Sequence, residues 1–181
     1  MDNTKNLSEK NFGATKSKTA LLKNSKEFLG TSTLKRLKSS RRNNEDFVGW
    51  KYFKHTADIK FQAFGKTKEE CYVNAGLAFV KSMVDEDVKS VKKKKIKVKG
   101  NDDVSLLYNF LEELLVLLDS EEFVVSKIEK MKIDSGKLSC EISGDKASNY
   151  EFHIDVKAIT YSEMFVKKEK SKYVCQVVLD V

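Results

Sequence analysis

The stretch of sequence that decides the fold is residues 104–120, VSLLYNFLEELLVLLDS. Its apolar residues recur three or four positions apart, which is the spacing that lines one side of an α-helix. The stripe consists of Leu107, Leu111, Leu114 and Leu118, widened by Leu106, Phe110, Leu115 and Leu117. An apolar surface this broad is typical of a core helix packed on a sheet. Asp102 or Asp103 is placed to cap its beginning.

A second helix is predicted upstream of this one. Thr67 and Glu70 have the spacing of a capping box, in which each side chain accepts a hydrogen bond from a free backbone N–H. Apolar residues at helical spacing then continue to about Val84, namely Cys71, Ala75, Ala78, Phe79 and Met83. Before the capping box, residues 51–64 (KYFKHTADIKFQAF) alternate between apolar and polar, which predicts one strand ending at Gly65.

The remaining segments are predicted to be strands. Residues 90–99 (SVKKKKIKVK) have the pattern of an edge strand protected by lysines. Further strands are predicted at 123–133, 137–143, 150–161, 163–168 and 172–181, and Gly136 and Gly144 mark turns. This order of elements predicts an α+β fold, in which two helices pack on a mainly antiparallel β-sheet.

Charge is distributed unevenly along the chain. The 181 residues carry a net charge of +7, and residues 1–46 alone hold eleven basic and five acidic residues. This segment shows no sustained apolar period, so we predict a disordered basic tail. Its cluster KRLKSSRR (35–42) fits nuclear import, a phosphate contact or a solvated tail without a specific partner. Residues 47–181, with 23 basic and 22 acidic residues, are then the folded domain.

Composition excludes several classes of protein. No apolar run approaches the ~18 residues that a membrane span needs, and the first residues lack the apolar core of a secretory signal. Three distant cysteines form neither a disulfide framework nor a CxxC zinc half-site, and only two histidines argue against zinc. We therefore expect an intracellular protein, cytoplasmic or nuclear, with no membrane partner. The paired carboxylates at 69–70, 112–113 and 121–122 are expected to be solvated.

Two acidic positions are candidates for a site. Asp58 follows His55 by three residues, so in an ideal strand their side chains point to opposite faces unless a bulge intervenes. Asp180 precedes Val181, which places a side-chain carboxylate and the Val181 carboxyl group within one residue. If Asp58 lies on a neighbouring strand, three anionic groups converge and require a cation or a proton. Oxygen ligands favour Ca²⁺ or Mg²⁺. The alternative is that these acids are simply exposed.

Four motifs carry a resemblance to a known family. HTADI at 55–59, LLYNFLEELL at 106–115, KAITY at 157–161 and VVLDV at 177–181 occur in the order and spacing of the archease family. The resemblance covers residues 48–181, and the basic tail is outside it. It implies an α+β domain that is not an enzyme but a cofactor of an RtcB-type tRNA-splicing RNA ligase. Archeases promote guanylylation of the ligase's histidine and let the ligase turn over repeatedly.

The resemblance also implies roles for particular residues. The family's metal site maps onto Asp58, Asp180 and Val181, and the metal is expected to be Ca²⁺. Lys157 and Tyr161 are further candidates for the functional surface, and His55 is expected to be structural rather than a ligand. One departure is Ser162, which stands where the family commonly has histidine after this motif, so any role of that histidine is in doubt here.

Two rival functions remain open at the level of sequence. The first is an RNA-binding or RNA-chaperone module that acts through the basic tail, with affinity that falls steeply with salt. The second is a metal-dependent hydrolase, which lacks an obvious general base beside the carboxylates. With the ligase partner, RNA contact is expected to be indirect or weak.

Overall fold

This computed structural model describes residues 49–53 and 58–181. The predicted disordered tail, residues 1–46, lies outside the described residues, and so does His55. The elements in chain order are β1 (Gly49–Phe53), β2 (Ile59–Gly65), α1 (Lys68–Lys81), β3 (Lys92–Lys99), α2 (Asp103–Glu121), β4 (Phe123–Asp134), β5 (Lys137–Lys146), a 3-10 turn (Ala147–Asn149), β6 (Ala158–Glu169) and β7 (Lys172–Asp180).

The predicted α+β fold with two helices and antiparallel strands is confirmed. The strands divide into two sheets rather than one. A four-stranded sheet has the order β1-β2-β7-β6, and a three-stranded sheet has the order β3-β5-β4. Every pairing between these strands is antiparallel.

The single strand predicted over residues 51–64 is wrong. β1 and β2 are separate strands that pair antiparallel, with Tyr52 opposite Phe61. The sequence contains the sign of this reversal, because the inward-facing apolar residues change from even to odd positions. Tyr52 packs against the core from an even position, whereas Phe61 and Ala63 are fully buried at odd positions. A strand cannot change phase in this way without a bend or a turn.

The strand predicted over residues 150–161 is wrong for its first eight residues. Irregular chain extends to Lys157, and β6 begins at Ala158. Residues 150–157 still alternate in burial, because Tyr150, Phe152 and Ile154 pack against the core without a strand partner. β6 then continues through the break predicted at Ser162. Residues 161–164 form a bulge, since Thr160 lies opposite Val178 and Phe165 lies opposite Gln176.

Both helix starts follow from local side-chain chemistry. The Thr67 hydroxyl accepts from the Glu70 N–H at 3.1 Å, whereas the Glu70 carboxylate accepts from Lys66 N–H instead of Thr67 N–H. The first half of the predicted capping box is therefore present and the second is displaced by one residue. α2 is capped by Asp102, whose side chain accepts from Ser105 N–H at 2.7 Å, and Ser105 Oγ accepts in return from Asp102 N–H.

One hydrophobic core joins the two sheets. α1 packs on β2 and β4, and α2 packs on β6, β3 and β4, so each helix contacts both sheets. Tyr72, Phe61, Phe79 and Phe110 are the largest fully buried side chains. The Tyr72 hydroxyl of α1 donates to the Asp103 carbonyl at 2.5 Å, which ties the two helices together. Neither helix in the described part of the chain is long and apolar enough to cross a membrane.

Candidate functional site

The strand register of the four-stranded sheet brings the two candidate acids together. β7 lies between β2 and β6, and Ile59 is opposite Leu179. Continuing this register by one residue places Asp58 opposite Asp180. Directly opposed residues of antiparallel strands have Cβ atoms about 5 Å apart, and their side chains leave the same face. Asp58 is half-buried and Asp180 is exposed.

The face that carries these acids is the one turned away from the helices. Phe61, Val177 and Leu179 point into the core, so Asp58 and Asp180, at alternate positions, point outward. The outward face next to them is polar. Gln62 lies opposite Gln176 on β7, and its Nε2 donates to Gln176 Oε1 at 2.9 Å. Polar neighbours of this kind tolerate a charged ligand better than an apolar face does.

A bulge residue extends this polar face. Gln176 Nε2 donates to the Glu163 carbonyl at 2.9 Å, and Lys60 forms a salt bridge with the Glu163 carboxylate at 2.5 Å. Glu163 has a φ of 52°, in the left-handed region that side chains rarely adopt. The bulge therefore holds Glu163 over the sheet, on the side where the carboxylates lie.

Lys157 and Val181 flank the acidic pair. Lys157 N–H donates to the Asp180 carbonyl at 2.9 Å, and Ala158 lies opposite Asp180. The side chain of Lys157 is exposed, whereas Val181 is half-buried and packs against the core. Three neighbouring segments thus meet at one end of the sheet, with Asp180 in the middle.

Tyr161 lies elsewhere, on the helix side of the bulge. It is 55% exposed and stacks on Tyr108 of α2, with ring centroids 4.2 Å apart and planes 6° from parallel. Burial raises the pKa of Tyr108, and the nearby Glu112 carboxylate adds to the increase. The structure therefore separates Tyr161 from the pair Asp58 and Asp180 and gives it an aromatic partner.

Tyr108 and Glu112 lie beside Tyr161, and the sequence alone does not single them out. The expectation that Glu112 is solvated is wrong, because the side chain is half-buried and its Oε2 atom is buried without a hydrogen-bond partner among the described residues. The available signal was their spacing of four residues on α2, which places both on one side of the helix. Glu121 and Glu122 are exposed as expected, and they pair with Lys94 and Lys146.

The donor set at the strand end fits a hard cation only if main-chain oxygen contributes. Within residues 49–53 and 58–181, no three His, Cys, Asp or Glu side chains are grouped as a metal site. Asp58 and Asp180 can supply two carboxylates, and Val181 follows Asp180 directly, so its main-chain oxygen is the nearest further donor in sequence. An all-oxygen set of this kind suits Ca²⁺, which accepts irregular geometry and water ligands, better than it suits Zn²⁺.

The three cysteines provide no competing chemistry. Cys71, Cys140 and Cys175 are buried free thiols. Burial raises the pKa of Cys140 to about 11. The adjacent Cys71 thiol, together with burial, raises the pKa of Cys175 well above its usual range. Thiols held neutral and away from solvent are poor nucleophiles and poor metal ligands.

The fold of two helices and two antiparallel sheets is that of a known class of protein, which similarity to known sequences and structures identifies. The sequence profile of the archease protein family matches residues 50–181. The chain belongs to the archease family. The profile includes Asp58, Lys157, Tyr161, Asp180 and Val181, and the residues before position 50 lie outside it.

Individual relatives agree over the same region. A protein archease from Pyrococcus abyssi is 37% identical over 141 residues, covering 73% of this chain and 98% of the relative. One from Methanosarcina barkeri is 34% identical, covering 73% and 95%. An archease-like protein of Drosophila melanogaster is 33% identical, covering 73% and 90%. The solution structure of Methanobacterium thermoautotrophicum protein 1598 is 33% identical with a TM-score of 0.66, covering 74% of this chain and 99% of that one.

Proposed function

We propose that this protein is an accessory factor, not an enzyme, that promotes guanylylation and multiple turnover of an RtcB-type tRNA-splicing RNA ligase. The observation that carries the proposal is the family match over residues 50–181, because this is the activity that the archease resemblance implies. The pairing of Ile59 with Leu179 supports it, since these two residues are the chain neighbours of Asp58 and Asp180. The partner is the ligase, and the protein would act on it transiently.

The site proposed for this function is a Ca²⁺ site at the end of β2 and β7. Asp58 and Asp180 would hold the ion together with the carboxyl group of Val181. Bound there, Ca²⁺ would supply a fixed positive charge that offsets the facing carboxylates. The chain's own part is positional, because the hydrogen bond from Lys157 N–H to the Asp180 carbonyl fixes the last strand against β6. Lys157 is exposed beside the site and is proposed to contact the ligase.

The test is multiple-turnover RNA ligation by a purified RtcB-type ligase with GTP, with and without this protein. We expect Asp58→Asn, Asp180→Asn and a variant with two residues appended after Val181 to lose stimulation by about tenfold or more, as expected for loss of one strong charged contact. Asp155→Asn is the matched control, since Asp155 is an exposed acid in the irregular segment before β6. Full stimulation by all three site variants would contradict the metal-site proposal.

Two roles of the ion can be separated by adding a stability measurement. If the ion serves guanylylation, Asp180→Asn should lose stimulation while folding normally in Ca²⁺-free buffer. If the ion only pins the last strand, stimulation by Asp180→Asn should recover at a lower temperature, where the strand stays docked. Single-turnover formation of the guanylylated ligase, followed with labelled GTP, reports the first step alone.

Tyr161 tests whether the ligase surface extends across the bulge. The exposed ring stacks on Tyr108 and offers a rigid aromatic surface of the kind enriched at protein interfaces. Tyr161→Ala should raise the protein concentration needed for half-maximal stimulation of the ligase and leave the maximum stimulation unchanged. This is expected because docking and chemistry would be carried by different residues. Thr160→Ala, a neighbour whose hydroxyl bonds the Val178 carbonyl inside the sheet, is the control.

A further inference from the structure

The outward face of the three-stranded sheet carries an unusual density of lysines. On β3 the residues at odd positions point outward, because Ile96 is buried and its neighbours on either side are exposed. The same face includes outward residues of β5 and β4 that pair with them in register. We call this surface the lysine face, and its cations are Lys93, Lys95, Lys97, Lys99, Lys127, Lys130, Lys132 and Lys137, all of them exposed.

The positive charge of this face is not shared by the rest of the domain. The lysine face has eight lysines against three carboxylates, those of Glu129, Asp134 and Glu141. The domain over residues 47–181 has 23 basic and 22 acidic residues, so the remainder carries 15 basic and 19 acidic residues. Edge protection explains charged side chains on β3 but not this segregation of positive charge onto one face.

The carboxylate of Glu141, in the middle of the lysine face, is paired with a lysine of β4 rather than with one of the β3 lysines. Lys130, at a bulge with a φ of 52°, donates to Glu141 at 2.7 Å, whereas Lys95 is 4.0 Å from the same carboxylate. No carboxylate of the described residues lies within 4.0 Å of Lys93, Lys97 or Lys99. The β3 row therefore keeps most of its charge available.

We propose that the lysine face binds the phosphodiester backbone of RNA. Alternate residues of a strand are about 7 Å apart, which is comparable with the separation of successive phosphates along one nucleic-acid strand. Lysine contacts phosphates as a point charge, and such contacts position nucleic acid without reading its sequence. Protein partners fit this surface less well, because lysine is depleted from protein interfaces. The face presents no aromatic side chain for base stacking, so paired RNA is the expected ligand.

The choice of RNA over DNA rests on the proposed function, whereas the charge pattern itself does not. RNA bound on the three-stranded sheet would lie on a different sheet from Asp58 and Asp180. The protein would then hold substrate RNA near the ligase through one sheet and act on the ligase through the other. Binding is measured without any ligase, so RNA binding and ligase stimulation can fail independently.

The experiment is fluorescence anisotropy of a labelled RNA duplex titrated with the full chain over about 50 to 200 mM KCl. The test variant replaces four lysines of β3: Lys93→Gln, Lys95→Gln, Lys97→Gln and Lys99→Gln. The matched control removes the same charge from exposed lysines elsewhere: Lys66→Gln, Lys89→Gln, Lys167→Gln and Lys168→Gln. Both variants keep the basic tail, so its contribution is the same in each. Thermal melts confirm that both are folded.

We expect the β3 variant to bind at least about tenfold more weakly and its salt slope to fall by about 2 to 3, since each phosphate contact contributes nearly one unit of slope. The control should lose no more than about threefold, because scattered charges contribute only to the general field. Equal losses in the two variants would overturn the proposal. Tighter binding to a DNA duplex of the same length, or displacement of the RNA by polyglutamate at equal charge, would also overturn it.

Discussion

The four-stranded and three-stranded sheets share one core but differ in where they put their charges. The first has two acids, Asp58 and Asp180, next to the paired residues Ile59 and Leu179 at the end of β2 and β7. The second spreads eight lysines over its outward face. Facing carboxylates a few ångströms apart suit a small cation, whereas cations repeated along a strand suit an extended polyanion. The difference shows that one antiparallel architecture can carry two opposite arrangements of surface charge over one shared interior.

The largest effect should come from the core that both sheets share. Phe110 is fully buried on α2, the helix that packs on β6 and on β3. Phe110→Ala should lower the free energy of unfolding by about 3–5 kcal/mol, through lost burial and the cavity left behind. Val116→Ala, on the same helix but 46% exposed, should cost less than about 1 kcal/mol. Urea unfolding followed by both circular dichroism and tryptophan fluorescence measures the change.

The same experiment tests whether the sheets unfold together. Trp50 on β1 reports the four-stranded sheet, and backbone circular dichroism reports the whole domain. Coincident transitions are expected, because each helix contacts both sheets. Two separated unfolding transitions in Phe110→Ala would show that the two sheets unfold independently, as two subdomains.

Calcium is expected to stabilise the folded protein by binding at the end of the four-stranded sheet and at no other place. At a free Ca²⁺ concentration about 100 times the dissociation constant, one site adds about 2.7 kcal/mol to the free energy of unfolding. Asp180→Asn should abolish this gain, yet in EDTA its stability should stay within about 0.5 kcal/mol of wild type, because Asp180 is exposed. Thermal melts with and without Ca²⁺ measure both. An unchanged calcium response in Asp180→Asn, with Asp155→Asn as the control, would place the ion elsewhere.

A smaller effect is expected where the two helices are tied together. The Tyr72 hydroxyl donates to the Asp103 carbonyl, and burial raises the pKa of this phenol far above its usual range. Tyr72→Phe should cost about 1–2 kcal/mol, because the carbonyl loses its partner in a partly buried place. Tyr161→Phe should cost less than about 0.5 kcal/mol, since its ring is exposed. Equal losses in chemical denaturation would mean that the Tyr72 hydrogen bond adds no stability.

The sequence predicted the parts of the fold that depend on local chemistry. Both helices and the cap at Thr67 follow from spacing within a few residues. The division into two sheets depends on which strands pair, and that is decided by packing of α1 and α2 between them. The bulge at 161–164 is likewise non-local, because it exists only relative to Val177 on the partner strand.

The candidate site divides in the same way. Residue type and chain position make Asp58 and Asp180 candidates, whereas their proximity depends on the register between β2 and β7. Tyr108 and Glu112 lie on α2, where the apolar stripe accounts for the sequence pattern and gives no separate sign of a functional role. The lysine face was visible in part, as the run at 92–95, but the lysines that complete it on β4 and β5 are 30 or more residues away in sequence.

The smallest expected effect concerns the carboxylate inside the lysine face. The hydrogen bond from Lys130, aided by the charges of Lys130, Lys95 and Lys93, holds the pKa of Glu141 below its usual range. A lowered pKa in the folded state means that the ionised Glu141 adds stability above its unfolded pKa, and that this stability is lost as the pH falls through the folded value. Lys130→Ala should raise the pKa of Glu141 toward the ordinary carboxyl value, measured by NMR titration of the side-chain carbon. Lys132→Ala, on the same strand and face, should change it much less. Equal shifts in the two variants would mean that the summed field of the lysine face, rather than the Lys130 contact, lowers the pKa of Glu141. The two sheets would then differ in the electrostatic field of their whole outward surfaces and not only in single contacts.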